Sequence, residues 1–89
     1  MLQDRQTKKF KKDYDRMVKR GKDIEKLDKV IEMLIDEKPL PTAYRDHALT
    51  GNLAGFRDCH MESDWVLIYK VLGNDLILFR TGSHADMLE

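Results

Sequence analysis

Eighty-nine residues, 42% of them apolar, suffice for one small core and not for a second domain. The single cysteine, Cys59, excludes an internal disulfide framework, and the absence of Cys/His repeats argues against a zinc finger. No apolar run nears the roughly 20 residues of a bilayer span, and MLQDRQTKKF lacks the apolar segment of a signal peptide, so the chain is expected to be soluble and cytoplasmic with no membrane partner.

Sixteen Lys/Arg balance sixteen Asp/Glu, but unevenly along the chain. Residues 1–29 hold 11 basic and 6 acidic side chains, whereas residues 30–89 hold 5 and 10. The basic half suits either an ordinary solvated helix surface or a face that meets phosphates. Residues 2–6 predict a short, polar edge strand. Thr7 then caps a helix with an apolar stripe of Phe10, Tyr14, Met17 and Val18. Lys8, Lys9, Lys11, Lys12, Arg16, Lys19 and Arg20 cover much of the rest of that helix. Gly21 suits its C-terminal cap, and Asp23 suits the N-cap of a second helix. The second stripe, Ile24, Leu27, Val30, Ile31, Leu34 and Ile35, is the clearest helical period in the chain. Pro39 and Pro41 end it, and the short link at Gly21–Lys22 makes the two helices an antiparallel hairpin.

Beyond Pro41 the period changes to two. Segments 54–60, 65–71 and 75–81 predict strands, joined by MESD (61–64) and LGND (72–75), the latter holding the hairpin pair Gly73-Asn74. The expected fold is α+β in a single domain spanning 1–89. It is an antiparallel meander with the helical hairpin packed on one face.

Alternation along the first of these strands sets Phe56, Asp58 and His60 on one face and Arg57, Cys59 and Met61 on the other. Cys59 and His60 therefore make poor joint ligands. His47, His60 and His84 also lack recognisable ligand spacing, so neither a metal nor a cofactor is expected. His84 follows the last strand, His60 ends the first, Asp64 opens the second, His47 lies in the loop YRDHALTG, and Arg80 is near the end of the last strand. In a sheet this small, these five residues can meet in one shallow cleft. Each histidine alone reads first as a surface or hydrogen-bonded loop residue. Together they suit metal-free cleavage of an RNA phosphodiester. One imidazole takes the 2′-hydroxyl proton and another protonates the departing 5′-oxygen. Arg80 steadies the phosphorane oxygens, and a carboxylate such as Asp64 orients an imidazole. Trp65 and Tyr69 are expected in the core, while Phe56 is a candidate for stacking on a base.

The segments RDHALTGNLAGFRDCHMESDWVLIYKV and LFRTGSHADML resemble the YafQ branch of the RelE superfamily of bacterial toxins. The resemblance lies in Asp46-His47-Ala48-Leu49, Gly51, Phe56-Arg57-Asp58-Cys59-His60, Asp64-Trp65 and Arg80-Thr81-Gly82-Ser83-His84. It covers residues 45–88. It implies a β-α-α-β-β-β fold of the microbial-ribonuclease type and an mRNA endonuclease acting in the ribosomal A site. His47, His60, Asp64 and His84 fall on the family's acid–base positions, with Asp58 and Arg80 in support. His84 is the candidate general acid, and the base stays open between His47 and His60. The basic helix would face ribosomal RNA. A cognate antitoxin, a small dimer with a DNA-binding half, would block the site and supply any contact with operator DNA. Leu88 stands where some relatives carry an aromatic residue. A catalytically weak binding module acting as antitoxin partner and co-repressor is the alternative.

Overall fold

The computed structural model describes residues 1–87. In chain order it contains β1 (Gln3–Gln6), α1 (Lys8–Lys19), α2 (Ile24–Ile35), β2 (His47–Ala48), β3 (Arg57–Glu62), β4 (Trp65–Leu72), β5 (Asp75–Gly82) and α3 (His84–Met87), with single 3₁₀ turns at Thr42–Tyr44 and Gly51–Leu53. One sheet holds all five strands in the order β1-β5-β4-β3-β2. Strand β1 runs parallel to β5, and every other neighbour is antiparallel. The α+β expectation holds, and so does the polar edge strand. All four residues of β1 are exposed, because an edge strand with one partner need bury no side chain.

The helical hairpin covers one face of the sheet. Phe10 and Met17 from α1 and Leu27, Val30 and Leu34 from α2 pack in one cluster with Cys59, Trp65, Leu67, Tyr69, Leu76 and Leu78. Trp65 is fully buried and donates its indole N–H to Thr81 Oγ1 (3.0 Å). Thr7 caps α1 as expected, accepting the Phe10 N–H at 3.0 Å. At the other end, Lys22 N–H bonds to Met17 O and Gly21 N–H to Val18 O, with Gly21 at φ +76°. These are the two bonds of a Schellman cap. Asp23, by contrast, makes no side-chain cap bond. Val18 is half exposed. The buried stripe of α1 is Phe10, Asp13 and Met17, so a carboxylate takes the position between the two apolar residues.

Helix α2 closes in the same way as α1, with Glu37 at φ +57° bonding to Leu34 O and Lys38 to Met33 O. A glutamate in the left-handed region is strained. Its ion pair with the N-terminus (3.2 Å) is exposed on both sides and contributes little. Glu37→Gly is expected to raise stability by about 0.5–1 kcal/mol, read as a higher urea midpoint with an unchanged slope.

The strands depart from expectation in three places. Strand β3 starts at Arg57 and runs on to Glu62. The link to β4 is therefore Ser63-Asp64 alone, and Met61 sits at a register shift between His60 and Glu62. Strand β5 carries a second shift: Tyr69 pairs with Leu78 but Ile68 with Arg80, so Phe79 is the extra residue. Finally, the His47 loop forms a two-residue strand, pairing His47 with Asp58 and Ala48 with Arg57. Among the described residues no helix is long and apolar enough to cross a membrane.

Candidate active site

Three imidazoles form a row along one end of the sheet. The rings of His47 and His60 are 6.4 Å apart and near parallel (23°), and those of His60 and His84 are 6.0 Å apart. The row follows from local structure. His47 opens β2 opposite Asp58, His60 lies two residues further along β3 on the same face, and His84 is the first residue of α3, just after β5. Asp58 Oδ1 stands 3.1 Å from His47 Nδ1 and 4.0 Å from His60 Nε2. His47 Nδ1 is closer still to the Arg45 carbonyl (2.7 Å), which accepts its N–H in that tautomer. Among the described residues, Asp58 Oδ1 and His60 Nδ1 are buried polar atoms without a hydrogen bond. Buried polar groups are rarely left unpaired, and a catalytic role is one of the reasons for it.

At the open end of the row, Asp64 Oδ1 accepts twice from His84, from the backbone N–H at 3.0 Å and from Nδ1 at 2.6 Å. These bonds, the backbone one foremost, hold the Asp64 carboxyl below its ordinary range. Asp64 thus stays ionised and fixes the proton on Nδ1, which makes Nε2 the other nitrogen of the ring to exchange a proton. Both side chains are about two-thirds exposed, so a polymer can reach them.

His84 is held by a cap that the sequence displays as Ser83-His84-Ala85-Asp86. Ser83 Oγ accepts the Asp86 N–H (3.2 Å) and Asp86 Oδ2 accepts the Ser83 N–H (2.8 Å), a reciprocal capping box. Gly82, just before that cap, has no room for a side chain. Its φ is +153°, and a Cβ there would stand 2.7 Å from Asp86 Oδ2. Asp86 is buried and also accepts two bonds from Arg20 (2.8 and 2.9 Å) and one from Arg16 (3.1 Å). Arg20 chiefly drives its carboxyl far below the usual range. The spacing S-x-x-D was the available signal for this cap, but nothing local marks Asp86 as buried.

The five residues grouped from sequence do not all converge. His47, His60, His84 and Asp64 do. Arg80 instead turns to α1, where its Nε and Nη2 bind both oxygens of Asp13 at 2.6 and 3.1 Å. Only 8% of Arg80 is exposed. Period two from the core residues Leu76 and Leu78 already sets position 80 on the face that the helices cover. Arg16 and Arg20, expected on a phosphate-facing surface, are likewise engaged by Asp86, whereas Lys8, Lys9, Lys11, Lys12 and Lys19 are exposed. Phe56 is half-buried, with its ring 4.8 Å from that of Phe79 and Lys70 Nζ 4.7 Å above it. Tyr69 is in the core as expected. Leu88 lies outside the described residues. Among those described, no three His, Cys, Asp or Glu side chains are grouped to hold a metal ion.

Residues 2–89 match the family described as the bacterial toxin of the type II toxin–antitoxin system, YafQ. The match takes in the helical half as well as the motifs of 45–88. The mRNA interferase toxin YafQ of Escherichia coli K12 is 46% identical over 77 residues, covering 85% of this chain and 84% of that protein. Among solved structures, the E. coli DinJ–YafQ complex superposes with a TM-score of 0.91 at 39% identity, covering both chains fully. A metal-bound toxin from Helicobacter pylori does so at 0.91 and 43%, covering 98% of this chain and 99% of its own. The chain belongs to the YafQ family of toxins from bacterial type II toxin–antitoxin systems.

Proposed function

We propose that this protein is an endoribonuclease that cuts mRNA in the A site of the ribosome and is held inactive by a cognate antitoxin. The carrying observation is the row of three imidazoles ending in the Asp64–His84 pair. His84 Nε2 gives a proton to the departing 5′-oxygen, and His60 or His47 takes the proton of the attacking 2′-hydroxyl. The 2′-oxygen bonds to phosphorus as the 5′-oxygen leaves, so the products are a 2′,3′-cyclic phosphate and a 5′-hydroxyl. Acid and base must each lie about 3 Å from the oxygen they serve. The 6.0 Å between the His60 and His84 rings suits one phosphate group between them. His47 stands one ring further off.

Asp58 lends its negative charge to the two inner imidazoles. Arg80, bound to Asp13, supports the end of β5 from which α3 departs and does not grip the phosphate. The exposed lysines of α1 face ribosomal RNA phosphates. The shallow site offers little area to orient RNA, so the ribosome supplies most of the positioning. An antitoxin partner is supported by the DinJ complex of the E. coli relative. Contact with operator DNA runs only through that antitoxin, and the site of action is the cytoplasm, where ribosomes translate.

The test is purified protein added to ribosomes programmed with a defined mRNA. The expected result is a cut within the A-site codon, with little cleavage of the same RNA free in solution. Because a Helicobacter relative is metal-bound, the assay is repeated with 1,10-phenanthroline, which spares magnesium. Unchanged cleavage is expected if the imidazoles alone move the protons. No cut on programmed ribosomes sinks the proposal.

A further inference from the structure

His47 rests on very little backbone. Its strand has two residues, followed by one more bond from Leu49 N–H to Phe56 O. Just before it, Arg45 adopts the left-handed conformation at φ +52°. A segment so short and strained does not fix a half-exposed ring to a fraction of an ångström by itself.

The neighbouring side chain does what the backbone cannot. Asp46 and His47 alternate across the sheet. His47 meets Asp58, while Asp46 meets Tyr69 and Arg57. Asp46 Oδ1 accepts the Tyr69 hydroxyl at 2.7 Å and Arg57 Nε at 3.1 Å. Tyr69 and Arg57 are cross-strand partners on β4 and β3, so both donors arrive from one rung of the ladder. Tyr69 is 3% exposed and belongs to the core cluster. Burial foremost, and then the Asp46 bond, push its phenol well above the usual range, so it remains a donor wherever the protein works.

We propose that Asp46, gripped by Tyr69 and Arg57, is the positioning residue that locks His47 to the central strands of the sheet. Nothing in a resemblance of motifs assigns this task to Tyr69, which by sequence alone is one more core aromatic. The consequence for cleavage rests on His47 acting in catalysis. The placement of His47 does not.

Two variants test the proposal. Asp46→Asn keeps the shape of a half-buried side chain and weakens its grip, and Tyr69→Phe removes one donor and no carbon. Thermal melting confirms that each folds. Each is expected to slow single-turnover cleavage on programmed ribosomes about 10-fold or more while half-saturation moves less than about 2-fold, since a misplaced group costs rate before binding. In parallel, the histidine ring resonances of the free protein are followed by NMR across a pH titration. The His47 signals and their midpoint are expected to move in both variants, with those of His84 unmoved. His47 resonances and titration identical to wild type in both variants overturn the proposal, whatever the cleavage rates. A wild type that never cleaves, with His47 signals that still respond to both substitutions, sinks the catalytic reading and leaves the positioning role standing.

Discussion

His84→Ala is expected to lower single-turnover cleavage of ribosome-bound mRNA by about 10²–10⁴-fold, the range for losing a positioned general acid. Its fold should survive. The His84 side chain is 65% exposed, and the cap that starts α3 is made by Ser83 and Asp86, with the His84 backbone N–H still able to bond to Asp64. Growth arrest on induced expression should disappear with it. Asp64→Asn should cost less than the full loss, because it disturbs which nitrogen of His84 bears the proton without removing the ring. Substrate chemistry separates the acid role from a role in binding. A bridging sulfur in place of the 5′-oxygen leaves without needing a proton. That substrate should restore most of the rate to His84→Ala and none of the rate lost in His60→Ala or His47→Ala. If His84→Ala stays equally slow on the sulfur substrate, His84 is not the acid.

The grouping of His84 with His47, His60 and Asp64 was legible because it depends on period and chain order alone. Alternation fixes which face of β3 carries Asp58 and His60, and a tight meander forces the ends of successive strands together. The two helical stripes were legible for the same reason. What escaped was set by partners far away in sequence. Asp13 lies on the buried stripe of α1, yet an aspartate that follows two lysines looks solvated until Arg80, 67 residues on, is known to meet it. Val18 was assigned to the stripe in its stead. Asp86 and Arg20 are 66 residues apart and pose the same problem. Nothing local to Asp46 shows its two donors, because they come from strands that pair only in the folded sheet. The bulge at Phe79 could not be read either, since register is decided by both strands. The errors therefore fall on charges and bulges, and the apolar pattern carried the rest.

Arg80 makes the most consequential of these buried contacts, and the expected result of breaking it is severe. Asp13 presents 2% of its side chain to solvent and Arg80 10%. Asp13 also accepts the Thr81 backbone N–H at 3.2 Å. Asp13→Ala takes away the carboxylate that faces a buried guanidinium and the acceptor of a buried N–H, while Arg80 Nη2 keeps its longer bond to the Asp86 carbonyl (3.4 Å). Removing one partner of such a pair costs about 3–5 kcal/mol, against a total stability of about 5–15 kcal/mol for an ordinary domain. The urea midpoint should fall by a large fraction of its wild-type value. The pair as a unit is a different matter. Replacing both partners by apolar residues of similar size is often neutral or stabilising, so Asp13→Leu with Arg80→Met should recover the part of the loss that comes from the unpaired charge, leaving the about 1–3 kcal/mol of the Thr81 N–H that still lacks its acceptor. Cleavage by that double variant then reports on function without the fold as a confounder. If Arg80 only supports the end of β5, a stable double variant should retain most of its cleavage rate. If a stable double variant is as slow as His84→Ala, the guanidinium acts on the phosphate directly, and the contact with Asp13 must open when RNA binds.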